Sequence, residues 1–196
     1  MNPEIIVVSG LPRCGTSLMM QMLANGGIEV VADHIRCADT DNPRGYYEFE
    51  RVKKIKDDAS WLPDARGKAV KMVSQLLYDL PPSERYRIIF MERDMDEMLD
   101  SQEKMLKRLG RKATPREEIK PAFTKHLDRL FQWLGRQPNM HVLRISYNEL
   151  LRHPQEQARI VCDFLGGNID LERMTQAVDR DLYRNRKEPS QNAAVI

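Results

Sequence analysis

An uninterrupted apolar run, Ile5 to Val8, passes directly into Ser9 and Gly10. Five residues on stands Gly15, followed by Thr16, Ser17 and a helix-spaced apolar set, Leu18, Met19, Met22 and Leu23. A strand apolar on both sides belongs in a buried parallel sheet. A glycine turn leading from such a strand into a helix makes an anion site from its own backbone N–H groups. The stretch is nearly the phosphate loop G-x-x-x-x-G-K-[ST], but Thr16 stands where the lysine belongs. A positive charge is present further upstream, as Arg13.

The remaining chain repeats the alternation. "IEVV" (28–31), "AVKMV" (69–73), "RIIFME" (87–92) and "HVLRIS" (141–146) read as strands. Met95, Met98, Leu99, Met105, Leu106 and Leu109 space as one helix ended by Gly110. Phe123, Leu127, Leu130, Phe131 and Leu134 space as another ended by Gly135, and Ala158 to Leu165 as a third closed by Gly166-Gly167. Residues 32–68 carry no clean period and are punctuated by Pro43, Gly45, Pro63 and Gly67. The pattern predicts an α/β fold: a single P-loop-like domain over residues 1–196, with a central parallel β-sheet flanked by helices. Its core is expected at about 4–187, followed by a patternless tail, 188–196.

Composition narrows the function classes. With 41% apolar and 31% charged residues the chain is globular rather than disordered. A net charge of +2 argues against a general nucleic-acid binder. No apolar run reaches the ~18 residues of a membrane helix, and the N-terminus lacks the positive region of a leader peptide. The 3 cysteines, Cys14, Cys37 and Cys162, are odd in number and widely spaced. They suit a reducing compartment, so a cytoplasmic location is expected, and neither a disulfide framework nor a zinc site.

Three chemistries compete for the loop. A nucleotide kinase needs the loop lysine and a strand-end carboxylate for Mg²⁺; the lysine is missing, and "RIIFMER" ends in Glu92-Arg93. A cysteine phosphatase would use Cys14 but needs an arginine six residues on, where Met20 stands. Transfer of a sulfuryl group from 3′-phosphoadenosine 5′-phosphosulfate (PAPS) handles an anion of lower charge. One arginine and backbone donors suffice for that without a metal. "RDMDEMLDS" favours the third: Arg93 sits at a strand end and Ser101 eight residues later, about two helical turns away.

With "GLPRCGTS", "RDMDEMLDS" and "SYNELLRHPQEQARIVCDFLG" in that order, the chain resembles the PAPS-dependent sulfotransferase family, notably its small bacterial members, from about residue 5 to residue 187. The resemblance implies that Arg13 contacts the 5′-phosphosulfate and stabilises charge on the bridging oxygen. It implies that Gly15, Thr16 and Ser17 bind the 5′-phosphate. Arg93 and Ser101 would bind the 3′-phosphate, helped by Arg184 or Arg186, with Tyr147 near the adenine. Cys14 replaces the family's usual serine, where the contact is a backbone N–H. The implied acceptor is a small molecule, glycan or peptide; no nucleic acid, membrane span or metal is implied.

The base that takes the acceptor's proton is not carried over. Cytosolic animal members place a histidine two residues after a strand lysine; Lys71 fits the lysine, but Val73 follows. Glu48, in "DNPRGYYEFE", is the first candidate, and bacterial relatives show a similar Gly-aromatic-Glu pattern. His34 is the second, and Lys71 is a candidate to assist the leaving group.

Overall fold

A computed structural model of the chain describes residues 3–33, 35, 39 and 45–179. His34, Cys37, Arg184 and Arg186 lie outside the described residues.

The strands are β1 (Ile5–Gly10), β2 (Val30–Val31), β3 (Ala69–Lys71), β4 (Tyr86–Glu92) and β5 (Met140–Ser146). The helices are α1 (Thr16–Asn25), α2 (Met95–Arg108), α3 (Arg116–Leu134), α4 (Tyr147–Arg152), α5 (Pro154–Leu165) and α6 (Leu171–Gln176). All five strands are parallel, in the order β2-β3-β1-β4-β5. The α/β class, with its central parallel sheet, is as the sequence predicts.

Every residue of β1 is buried, because helices cover both faces. Alternation along β1 sends Ile6 and Val8 towards Met19, Met22 and Leu23 of α1, Met98 of α2 and Val161 of α5. Ile5 and Val7 face the other way, towards Ile55, Leu62, Leu77 and the Leu130–Leu134 end of α3. The sheet order puts a crossover on either side of β1, with β3 on one flank and β4 on the other. That is the switch point at which open α/β sheets bind ligands, beyond the carboxyl ends of the strands.

Several boundaries differ from the sequence reading. β2 holds two residues and β3 three, shorter than the apolar runs that announced them. Residues 50–54, 62–65 and 74–79 form short 3₁₀ helices, whose three-residue turn leaves no 3.6 period to detect. α3 starts at Arg116, earlier than its apolar spacing suggested, and carries Pro121 near its start. α4 begins with a capping signal: Ser146 Oγ accepts from the Glu149 N–H at 3.3 Å.

Candidate active site

The loop between β1 and α1 is folded by its own backbone. The Cys14 N–H donates to the Leu11 carbonyl at 3.3 Å, and Arg13 takes a left-handed φ of +69°. Gly15 ends the loop at φ +91°, where a β-carbon would fall 2.3 Å from Cδ2 of Tyr147. Glycine is therefore required twice here, for its conformation and for the approach of the ring. α1 begins without a side-chain cap and with no acidic residue in its first turn, so its N-terminal N–H groups and dipole suit an anion. Thr16 and Ser17 are the first two residues of that helix.

One wall of the site comes from β4, α2 and α4. Asp94 caps α2 by accepting from the N–H groups of Asp96 and Glu97, which sets the helix register. Residues 93, 97 and 101 then share one stripe. Arg93 Nε donates to Glu97 Oε2 at 3.4 Å, and its Nη1 donates to the Arg13 carbonyl at 3.3 Å. Arg13 Nε donates to Ser101 Oγ at 3.0 Å. The Arg93 guanidinium lies 4.7 Å from the centre of the Tyr147 ring, a cation–π distance. Burial raises the Tyr147 hydroxyl above its ordinary pKa, and Arg93 and Arg13 pull against that shift.

The other wall comes from β3 and residues 45–48. Lys71 Nζ donates to the Tyr46 carbonyl and, at 3.3 Å, to Ser17 Oγ. Ser17 Oγ lies 3.4 Å from the same carbonyl. Glu48 Oε1 is 3.8 Å from Lys71 Nζ. Tyr46 is anchored from its far end, where its hydroxyl donates to Asp39 at 2.7 Å and Arg108 pairs with Asp39 at 3.1 Å. Glu48 precedes the 3₁₀ helix at 50–54; Glu50 holds the first-turn position there.

Arg13, Cys14 and Gly15 of the loop, with Thr16 and Ser17 at the start of α1, therefore lie between Arg93, Ser101 and Tyr147 on one side and Lys71 and Glu48 on the other. Burial pushes the Cys14 thiol up to about 12, so it is protonated at neutral pH and unsuited to attack. His126 lies apart from these contacts: its Nε2 is 2.9 Å from Ser74 Oγ, and burial lowers its pKa. His141 and His153 are exposed beside Glu4 and Glu149. Glu97 was not anticipated. Its signal was its position, four residues from both Arg93 and Ser101 on a helix. No helix among the described residues is long and apolar enough to cross a membrane.

Solved structures with this fold include the sulfotransferase domain from the curacin biosynthetic pathway, with TM-score 0.56, 17% identity, and 90% of this chain and 78% of that one covered. The sulfotransferase domain of the Synechococcus PCC 7002 olefin synthase gives TM-score 0.53 and 16% identity, over 96% of this chain and 82% of the other. A sulfotransferase from Alicyclobacillus acidocaldarius gives 0.51 and 19%, over 87% and 85%. No curated protein sequence matches the chain. The family model described as "Sulfotransferase family" matches residues 45–170, a span that takes in Glu48, Lys71, Arg93, Ser101 and Tyr147. That span exceeds half of the sequence, and the chain belongs to the sulfotransferase family.

Proposed function

We propose that the protein transfers the sulfuryl group of PAPS to the hydroxyl or amine of a small-molecule, glycan or peptide acceptor, leaving adenosine 3′,5′-bisphosphate. The observation that carries the reading is the hydrogen bond from Arg13 Nε to Ser101 Oγ. It joins the loop expected to hold the 5′-phosphosulfate to the segment expected to hold the 3′-phosphate. The cradle fits such a ligand: an uncapped helix start, a glycine whose β-carbon would strike Tyr147, and two arginines in contact through the Arg13 backbone. PAPS supplies a sulfuryl group on an anhydride whose bridging oxygen gains charge as the group leaves.

The chain's own residues divide the remaining work. The α1 N-terminus with Gly15, Thr16 and Ser17 binds the 5′-phosphate, Arg93 and Ser101 bind the 3′-phosphate with help from Arg184 or Arg186, and Tyr147 flanks the adenine. Arg13 stabilises charge at the bridging oxygen, and Lys71 assists it. Glu48, beside Lys71, accepts the acceptor's proton, with His34 as the alternative base. The reading needs no metal, because one guanidinium and backbone donors match the single charge of the sulfuryl group. It places one domain over residues 1–196, acting in the cytoplasm.

Calorimetry tests this. Adenosine 3′,5′-bisphosphate should bind in the presence of chelator, and more tightly than ATP with Mg²⁺. Arg93→Ala and Ser101→Ala should each weaken the bisphosphate by about 1.5–3 kcal/mol, the worth of a charge-assisted contact, and leave adenosine 5′-phosphate nearly unchanged. Tighter binding of ATP with Mg²⁺ would point to a kinase instead.

A further inference from the structure

Glu97 carries a carboxylate inside the protein, on the helix that follows the Arg93 turn. Its side chain is 4% exposed and that of Arg93 6%. A buried ion pair returns little stability, because desolvation of both charges offsets their attraction unless the geometry is excellent. Here the geometry is poor for that purpose. Arg93 meets Glu97 through Nε at 3.4 Å, whereas Arg144 and Glu92, at the surface, meet through two nitrogens at 3.0 and 2.7 Å.

The pair makes sense through its third member. The same oxygen, Glu97 Oε2, accepts from Asn148 Nδ2 at 3.0 Å, and Asn148 Oδ1 accepts from the Asp94 N–H at 3.4 Å. Asn148 follows Tyr147, whose ring lies on Arg93 and against Gly15. One carboxylate oxygen therefore ties the β4–α2 turn to the β5–α4 turn, and with them the guanidinium to the ring that covers it.

We infer that Glu97 is a positioning residue for 3′-phosphate recognition: through Oε2 it aims Arg93 and, by way of Asn148, seats Tyr147. The inference rests on the reading of the site given above. An aimed guanidinium loses less freedom when it takes up a phosphate, which is why a supporting layer raises discrimination. The negative charge of Glu97 acts in the opposite direction, since a phosphate at Arg93 feels its repulsion. The two effects predict opposite outcomes, and aiming is the one assigned here.

The test compares adenosine 3′,5′-bisphosphate with adenosine 5′-phosphate by calorimetry on the full chain. Glu97→Ala should lose at least about tenfold of the wild-type preference for the bisphosphate, while 5′-phosphate affinity, which feels only the loosened seat of Tyr147 beside the adenine, falls by less. Glu97→Gln keeps an oxygen acceptor without the charge and should hold the preference within about threefold. Asn148→Ala cuts the other arm of the link and should lose part of the preference; it and the Gln variant carry the test if the Ala variant does not fold. Three results overturn the inference: an unchanged preference in Glu97→Ala and Asn148→Ala, equal weakening of both ligands, or tighter bisphosphate binding in both Glu97 variants. A wild-type protein with no preference at all would defeat the functional reading itself. Failure of Glu97 alone, with the wild-type preference intact, would leave that reading standing.

Discussion

The two walls of the site are built in opposite ways. The wall of β4, α2 and α4 is made of buried and half-buried side chains, on helices and the turns that lead into them, that bond to one another and to Arg13 of the loop: Arg13 to Ser101, Arg93 to Glu97, Asn148 to Glu97. The wall of β3 and residues 45–48 turns on one backbone carbonyl, Tyr46, approached by Lys71 and Ser17. Its charged pair is also wetter, with Lys71 12% and Glu48 23% exposed. Partly hydrated charges rearrange at lower cost than dry ones. The first wall has the construction of a fixed recognition surface. The second suits a place where a proton and a group change hands.

Removing Glu48, the proton acceptor proposed above, should separate the walls most sharply. Glu48→Gln should lower turnover by about 10²–10⁴-fold, the usual contribution of a general base. Affinity for adenosine 3′,5′-bisphosphate, which the proposed function assigns to the other wall, should stay unchanged. Steady-state rates beside calorimetry check both halves, and the loss should shrink with acidic acceptors. A wild-type rate on a poorly acidic acceptor would exclude Glu48 and turn attention to His34.

A smaller effect comes from one methyl group placed against each wall. Gly15→Ala drives a β-carbon into Tyr147 at a positive φ and should cost about 2–4 kcal/mol in urea unfolding, from overpacking and strain together. At Gly45, with φ +89°, a β-carbon would meet nothing within 4 Å, so Gly45→Ala should cost only the backbone strain, about 1 kcal/mol. Equal losses would mean that the walls are equally tight.

An effect seen only at alkaline pH belongs to the loop between them. The Cys14 thiol ionises near 12 when folded against a reference of 9.0, because burial disfavours the thiolate. The proton is therefore held more tightly when folded. This stability is complete below about pH 9 and is lost as the pH rises from there towards 12. At pH 10 the loss is about 1.4 kcal/mol, one unit past the unfolded value. Cys14→Ala should remove that share of the alkaline slope in denaturant titrations.

The first wall was legible in the sequence because it is regular. A strand end at Arg93 and eight helical residues fix where Ser101 falls, and Ser146 with Glu149 marks the start of α4. Glu97 was readable by the same spacing but does not stand out as one acid among many on an amphipathic helix. Half of the second wall, residues 45–48, comes from an aperiodic stretch that runs into the 3₁₀ helices at 50–54 and 62–65, and its key acceptor is a carbonyl that every residue possesses. Sequence could nominate Lys71 and Glu48 separately. It could not show that they meet 3.8 Å apart, since that depends on the path of an irregular segment. The parallel sheet was plain because its strands are buried on both faces, while the two-residue β2 shows how little of an apolar run need pair.

Arg13 stands in a left-handed backbone conformation that glycine adopts freely and that costs another L-residue about 1–2 kcal/mol. A glycine there would relieve that strain. It would also bring about 0.5–1 kcal/mol of extra unfolded-chain freedom, and it would forfeit the hydrogen bond to Ser101, worth about 0.5–1.5 kcal/mol. The Ser101 bond is one of the contacts that offset the strain. The chain at position 13 is thus bent in a way that its side chain, and not the turn itself, must make worthwhile.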